Sequence, residues 1–235
     1  MLRKEKYYLK KYKMKRNIEV ELKYEVLDKN QIRKFLENLN FVNEKRVVDI
    51  YLDTKEGNLF KKGLFIRMRN KQLLDFKFNL SDIKSIGNRK HEHCDELSFK
   101  VPLSEESVEK INKICQIFNL KEIDKPDLNE FKEKNNFINS VLIDKTSRKY
   151  KDEKFEFSYD IVKDIGTFIE IEYLTMKENN LNKIKEEMRL RLKGLNLKPI
   201  TTGYNELYWR KKDFNLYLQG KYLLQEDLEK HNKIS

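Results

Sequence analysis

The sequence predicts an α+β protein in which helices pack outside an antiparallel β-sheet. Several segments alternate apolar and polar residues with the two-residue period of a half-buried strand. Other segments repeat apolar residues at the spacing of an amphipathic helix. The strand-like segments follow one another in hairpins and do not alternate with helices, which argues against a parallel βαβ arrangement.

The first half of the chain is predicted to contain five strands and two helices. The strands are expected at 17–26, 41–54, 63–69, 72–79 and 89–100. The first helix is indicated by Asp28 as N-cap, by Gln31 three residues later, and by an apolar stripe that begins at Ile32. Residues 55–58 form a predicted turn, and residues 104–120 form the second helix.

The second half of the chain is predicted to contain three more strands. They are expected at 141–150, 154–162 and 166–174. A weaker helix is predicted at 127–138, and a short one at 204–210. A longer amphipathic helix is marked by Leu181, Ile184, Met188 and Leu192.

The composition is very polar but still that of a globular protein. Charged residues make up 38% of the 235 residues and hydrophobic residues 39%. No segment approaches the roughly 18 uninterrupted apolar residues of a transmembrane helix, and the first residues lack the apolar core of a signal peptide. The two cysteines, Cys94 and Cys115, show no disulfide or metal spacing. We therefore expect a cytoplasmic protein with no membrane partner.

Part of the formal net charge of +11 is concentrated at the start of the chain. Residues 1–16 contain eight Lys and Arg residues against the single acid Glu5. A basic arm of this kind could touch RNA or a membrane surface, but Met14 stands just before the first strand. We expect residues 1–16 to be a disordered extension without an assigned function, and residues 17–235 to form the domain.

Three of the predicted strands place two like charges next to each other on one face. Like charges share a face in three places: Glu19 with Glu21, Arg67 with Arg69, and Glu170 with Glu172. Any half-exposed antiparallel sheet has a polar face, but an ordinary solvated face mixes signs because neighbouring like charges repel. Two carboxylate pairs suit a divalent cation, and an arginine pair followed by Lys77 suits a polyanion.

In order along the chain, these motifs resemble the CYTH superfamily of triphosphate tunnel metalloenzymes. The first strand carries the signature Glu-x-Glu-x-Lys as Glu19-Val20-Glu21-Leu22-Lys23. Later segments are similar in the same order: Tyr51-Leu52-Asp53-Thr54, Arg67-Met68-Arg69, Lys77, Arg148, Ser158-Tyr159-Asp160 and Glu170-Ile171-Glu172. The resemblance runs from residue 17 to the region of Tyr204, and the less regular strand 89–100 offers Arg89, Lys90, Glu92 and Glu96 as candidates.

The resemblance implies an eight-stranded antiparallel barrel that binds a triphosphate and Mg²⁺ or Mn²⁺ in a tunnel. It implies as metal ligands the hard carboxylates Glu19, Glu21, Asp160, Glu170 and Glu172. It implies as triphosphate ligands the cations Arg67, Arg69, Lys77, Lys145 and Arg148. The catalytic candidates are Glu19, Glu21, Lys23 and Tyr51. A homodimer is compatible with the same resemblance.

Three functions fit this pattern. The leading hypothesis is a hydrolase that releases orthophosphate from inorganic triphosphate or from a small organic one such as thiamine triphosphate. The second is a class IV adenylate cyclase, which needs the same metal and phosphate ligands but makes cyclic AMP and pyrophosphate. The third is a non-catalytic module that binds polyphosphate or RNA; the two carboxylate pairs argue against it, so nucleic acid is not the expected partner.

Overall fold

The computed structural model describes residues 18–79, 95–175 and 181–231. The strands are β1 (Ile18–Val26), β2 (Asn40–Asp53), β3 (Phe65–Arg69), β4 (Leu73–Phe78), β5 (Asp95–Lys100), β6 (Ile138–Lys151), β7 (Glu156–Val162), β8 (Gly166–Thr175) and β9 (Leu197–Ile200). The helices are α1 (Lys29–Leu36), α2 (Asn58–Lys62), α3 (Glu105–Phe118), α4 (Leu128–Lys134), α5 (Leu181–Arg191), α6 (Tyr204–Lys212), α7 (Phe214–Leu218) and α8 (Gln225–His231). No described helix has both the length and the apolar character needed to cross a membrane.

The predicted α+β class with an antiparallel sheet is confirmed. Hydrogen bonds join the strands in the order β5-β4-β3-β2-β6-β7-β8-β1-β9, and each pair whose register is described runs antiparallel. The described part of the chain forms nine strands instead of the eight expected, and its hydrogen bonds do not close the order into a ring. The additional strand is β9, which pairs with β1.

Local hydrogen bonds explain where the helices begin. The Asp28 side chain accepts from the backbone N–H groups of Asn30 and Gln31, at 2.9 and 3.1 Å, and so caps α1 as predicted. Ser104 caps α3 in the same way.

The predicted helix at 127–138 is shorter in the structure, because Asn136 adopts a left-handed backbone with φ of 53° and ends the helical run. Of the strand predicted at 89–100, residues 95–100 form β5, and 89–94 lie outside the described residues, as do 1–17.

The chain divides into two compact units. Two of the divisions fall within strands, in β2 after Lys45 and in β6 after Lys145, and the others follow Val162, Ile165 and Ile200. The first unit contains β1, β7, β8 and β9 with α1 and α5; the second contains β3, β4 and β5 with the remaining helices. The core of the first unit joins strand and helix residues, namely Val20, Ile32, Leu36, Phe157, Ile169, Ile171, Ile184 and Met188. The core of the second unit does the same with Ile66, Leu74, Phe76, Phe78, Ile111, Cys115, Phe118 and Phe131. In each unit one face of the strands is therefore apolar and covered by helices.

Candidate active site

In the first unit, strand register brings charged residues of β1 and β8 onto one face. Lys23 lies directly opposite Glu170, and Glu21 lies directly opposite Glu172. On the next strand Ser158 lies opposite Glu170. Residues directly opposite each other in an antiparallel pair point to the same side. We call this side the carboxylate face, with the members Glu21, Lys23, Ser158, Asp160, Glu170 and Glu172.

Lys23 is the centre of the carboxylate face. Its ammonium Nζ lies 3.0 Å from Oε1 of Glu170 and 3.3 Å from Oε1 of Glu21. Burial alone would lower the pKa of Lys23, but the negative charges of Glu170 and Glu21 outweigh it and hold the pKa above its ordinary value. Lys23 is therefore a permanent cation between two carboxylates at physiological pH.

The other predicted metal ligands are placed as follows. Asp160 is fully buried on the carboxylate face, opposite Phe168. Glu172 is half-buried opposite Glu21. Glu19 lies on β1 opposite Leu174, but its side chain is outside the described part of the structure.

The donor chemistry of the carboxylate face fits a magnesium or manganese ion. Carboxylate oxygens are the hard ligands that these ions prefer. Glu21 and Glu170 already hold one cation, the Lys23 ammonium, between them. Among the described side chains, no three His, Cys, Asp or Glu residues are gathered closely enough to hold a metal as they stand.

The second unit contains the predicted arginine pair. Arg67 on β3 lies opposite Tyr51 on β2 and opposite Asp75 on β4, and Arg69 lies opposite Asp49. Arg67 Nε donates to Oδ2 of Asp75 at 3.0 Å, and its Nη1 lies 3.5 Å from Oδ2 of Asp49. Arg69 donates through Nε and Nη2 to the two oxygens of Asp49, at 2.9 and 3.1 Å.

Glu96 on β5 connects Arg67 to the third predicted cation of this unit. Arg67 Nη2 donates to Oε1 of Glu96 at 3.0 Å, and Lys77 Nζ lies 3.9 Å from Oε2 of the same carboxylate. Register places Lys77 directly opposite Glu96. We call the whole set the arginine cluster, with the members Asp49, Arg67, Arg69, Asp75, Lys77 and Glu96.

Tyr51 adjoins the arginine cluster through Arg67. Burial raises the pKa of the Tyr51 phenol to about 12, although the Arg67 charge and hydrogen bond act in the opposite direction. The negative charges of Asp49 and Glu206 add to the increase. Tyr51 is therefore a protonated hydrogen-bond donor at neutral pH and not a phenolate base.

This shifted pKa predicts a loss of stability at alkaline pH. Tyr51 ionises near pH 10 in the unfolded chain but near 12 in the folded one. The folded state therefore retains the proton longer, and stability falls as pH rises from about 10 to about 12. We expect wild type to lose about 1 kcal/mol relative to Tyr51→Phe between pH 9 and pH 11, measured by denaturant unfolding. If the free energy of unfolding changed with pH in the same way in both proteins, the raised pKa of Tyr51 would be contradicted.

Lys145 and Arg148 occupy different surroundings. Lys145 Nζ lies 5.0 Å from the ring centre of Tyr204, a cation–π contact in the second unit. Arg148 forms an ion pair with Glu44 in the first unit. Two residues beyond Arg148 on the same strand face, Tyr150 packs against the apolar core. The structure thus brings Arg148 to Glu44 and not to the carboxylate face, and its phosphate-binding role stays a prediction.

The Asp53-Thr54 part of the Tyr-x-Asp-Thr motif has a local structural role. Asp53 Oδ1 accepts from the backbone N–H groups of Thr54 at 2.7 Å and Leu59 at 2.9 Å, and Oδ2 accepts from Phe60 at 2.9 Å. Burial raises the pKa of Asp53, and these hydrogen bonds oppose that shift. Asp53 fastens the end of β2 to the start of α2, so it supports the strand that carries Tyr51.

Sequence reasoning did not assign several charged residues that adjoin the predicted site. In the second unit these are Asp49, Asp75 and the buried Glu206, whose charge acts on Tyr51, whereas Glu96 was already a candidate. In the first unit Lys149 Nζ lies 3.9 Å from Glu156 Oε2, and Lys198 on β9 lies opposite Glu25. The two-residue period carried a signal for Lys149, because it shares the strand parity of Lys145.

The sequence was also compared with known protein families. A family model of the CYTH domain matches residues 17–203. The chain belongs to the CYTH family. The CYTH match ends just before α6, so the C-terminal helices that follow, including Glu206, lie beyond it.

Two of three proteins similar to this CYTH chain carry enzyme names. It is 28% identical over 182 residues to "Putative adenylate cyclase" from Methanocaldococcus jannaschii, a match that covers 77% of this chain and 90% of that protein. A Pyrococcus horikoshii structure resembles it with a TM-score of 0.55 and 20% identity, over 83% of this chain and 99% of the other. A Hippeastrum structure, "Putative adenylyl cyclase HpAC1", is described as having a dominant triphosphatase activity. It is 16% identical with a TM-score of 0.51, over 88% of this chain and 98% of the other.

Proposed function

We propose that this CYTH protein is a metal-dependent triphosphatase that acts on inorganic triphosphate or a small organic triphosphate. The observation that carries the proposal is the carboxylate face, where Glu172 lies opposite Glu21 and Glu170 lies opposite Lys23. The Lys23 ammonium lies between Glu21 and Glu170. Such a concentration of like charge is unfavourable in an ordinary sheet. A divalent cation would offset it, and the dominant triphosphatase activity described for the Hippeastrum protein supports the same choice of reaction.

The carboxylate face of the first unit and the arginine cluster of the second unit differ in chemistry, the one suited to a cation and the other to an anion. Glu21, Glu170 and Glu172, with Glu19 and Asp160 as further ligands, would hold Mg²⁺ or Mn²⁺, whose contribution is to neutralise charge on phosphate oxygens. The arginine cluster would bind phosphate oxygens through Arg67, Arg69 and Lys77. The guanidinium groups suit this task because their planar donors match two oxygens at once.

The proposed reaction is attack of water on the terminal phosphorus. The bond from that phosphorus to the bridging oxygen breaks, and orthophosphate and the shortened phosphate chain are released together with one proton. Lys23 would orient the water or a phosphate oxygen from its place between Glu21 and Glu170. Tyr51, protonated at neutral pH, would donate a hydrogen bond to a phosphate oxygen.

The test is an assay of the purified protein with Mg²⁺ or Mn²⁺ and, separately, inorganic triphosphate, thiamine triphosphate and ATP. We expect orthophosphate from one of the triphosphates. We expect Glu21→Gln/Glu170→Gln to lower the rate by about 100-fold or more, because the metal ligands are lost. The matched control is Glu186→Gln, which removes a carboxylate from an exposed pair with Arg189 on α5 and should leave the rate unchanged.

The adenylate cyclase reaction is the second candidate, favoured by the name of the M. jannaschii relative. Cyclic AMP with an equal amount of pyrophosphate from ATP would identify it in the same assay. No turnover of any substrate by folded, metal-loaded protein would overturn both enzymatic proposals. In that case a non-catalytic polyphosphate-binding module would account for the charged clusters.

A further inference from the structure

The guanidinium of Arg67 is already enclosed by three carboxylates. Its Nε donates to Asp75 at 3.0 Å, its Nη2 donates to Glu96 at 3.0 Å, and its Nη1 lies 3.5 Å from Asp49. All three nitrogens therefore face an acidic side chain. Because Glu96 also adjoins Lys77, a phosphate that contacts both Arg67 Nη2 and Lys77 has to compete with this carboxylate for them.

The three carboxylates differ sharply in their freedom to move. The side chains of Asp49 and Asp75 are 5% and 2% exposed, whereas that of Glu96 is 37% exposed. Asp49 is held further by its two hydrogen bonds from Arg69. Glu96 lies on β5, which ends the described strand order and pairs with β4 on one side. Glu96 is therefore the carboxylate that can leave at the smallest cost.

Glu96 also has the contacts that a phosphate group would make. One of its oxygens accepts from Arg67, and the other lies 3.9 Å from the ammonium of Lys77. A single anionic group that places two oxygens on an arginine and a lysine is the arrangement expected of a bound phosphate.

The negative charge of Glu96 also affects the net charge of the site. The arginine cluster contains three cations and three carboxylates, so it is formally neutral and attracts a polyanion only weakly until Glu96 withdraws.

We infer that Glu96 is an internal competitor for the phosphate position between Arg67 and Lys77, and that it sets the affinity of the site for triphosphate. The inference rests on the proposed function in taking these two cations as phosphate ligands. When triphosphate binds, Glu96 turns towards solvent and Arg67 keeps its buried contacts with Asp49 and Asp75. A phosphate group then replaces the Glu96 carboxylate between Arg67 and Lys77. The affinity for triphosphate therefore depends on Glu96, although Glu96 does not contact the bound substrate.

The test is to measure binding of inorganic triphosphate to the full chain by calorimetry, without turnover, for wild type and Glu96→Gln. Glutamine keeps the shape of the side chain and removes its charge. We expect triphosphate to bind Glu96→Gln about three- to tenfold more tightly, because a partly exposed ion pair no longer competes. The control is Glu106→Gln, which removes the carboxylate from an exposed pair with Lys110 on α3 and should leave the affinity unchanged.

The outcomes separate this inference from the proposed function. Tighter binding by Glu96→Gln supports the competitor role, even if neither protein hydrolyses triphosphate and the proposed function fails. Equal or weaker binding, together with hydrolysis by wild type, overturns the competitor role and leaves the proposed function intact. Failure of both proteins to bind overturns both. In an active enzyme, Glu96→Gln should also lower KM, a change that loss of a merely structural contact would not produce.

Discussion

Replacing Arg67 with alanine should lower the free energy of unfolding by about 3–5 kcal/mol. The change removes one cation and leaves Asp49, Asp75 and Glu96 facing one another without it. Two of these carboxylates are almost fully buried, so water cannot replace the lost donor. Oδ1 of Asp75 already lacks a hydrogen-bond partner among the described residues, and in the variant the other oxygen would lose its partner as well.

The matched control for Arg67→Ala is Arg46→Ala in the same unit. Arg46 also donates two hydrogen bonds to one carboxylate, Asp144, at 2.8 and 2.7 Å. Its side chain is 71% exposed, so its removal should cost about 1 kcal/mol or less. Denaturant unfolding of both variants in the absence of ligand makes the comparison. Equal small losses would show that the buried carboxylates relax or take up protons without penalty.

A second variant separates the effect on stability from the effect on binding. Arg67→Ala/Asp75→Asn removes the charge of the most buried carboxylate together with the arginine. We expect it to regain part of the lost stability, because an unpaired buried charge is replaced by a neutral amide. Triphosphate binding should stay weak in the double variant, since no guanidinium is restored. Recovery of binding along with stability would contradict a direct phosphate contact by Arg67.

The alternation of β1 and β8 could be predicted from the sequence because a strand repeats every two residues. Once Val20 and Ile171 are assigned to the core, Glu21 and Glu172 must point to the other face. The pairing of Lys23 with Glu170 needed one further quantity, the register between the strands. The register depends on how the apolar residues of the two strands pack together in the core. The alternation within one strand gives the face of each residue but not its partner on the next strand.

The contacts of Arg67 could not be predicted for the same reason. Asp49, Asp75 and Glu96 come from three different strands and meet Arg67 only after those strands pair. A pair of arginines on one face was visible in the sequence and indicated an anion site. The carboxylates that occupy those arginines in the structure depend on long-range pairing.

Strand β9 was missed because its sequence signal is weak. It has four residues and contains Pro199, which cannot donate a backbone hydrogen bond to a sheet. Proline is tolerated at the edge of a sheet, and β9 is the last strand in the described order. Lys198 was therefore not placed opposite Glu25 by sequence reasoning.

Replacing Lys23 with methionine should make the protein depend on a divalent metal for stability. Methionine keeps most of the side-chain length and removes the charge. Glu21 and Glu170 then face each other without the ammonium that lies 3.3 and 3.0 Å from them. The side chains of Lys23 and Glu170 are only 15% and 11% exposed. We expect a loss of about 3 kcal/mol in metal-free buffer.

Added Mg²⁺ or Mn²⁺ should restore that stability in Lys23→Met more than it stabilises wild type. A ligand that binds only the folded state stabilises it in proportion to the logarithm of its concentration over Kd. Without the ammonium, the carboxylates lose their competing cation and bind the ion more tightly. The measurement is the midpoint of thermal unfolding as a function of metal concentration. Lys154→Met is the control, because it removes an ammonium paired with Glu187, away from the carboxylate face.

Hydrolysis by Lys23→Met then decides whether Lys23 does more than neutralise its neighbours. If it orients water or a phosphate oxygen, activity should remain about 100-fold below wild type even when metal has restored stability. If added metal restored both the stability and the activity of Lys23→Met, Lys23 would have only a structural role. Equal metal stabilisation of wild type and Lys23→Met would contradict this prediction, because it would mean that the Lys23 ammonium does not compete with the ion for Glu21 and Glu170.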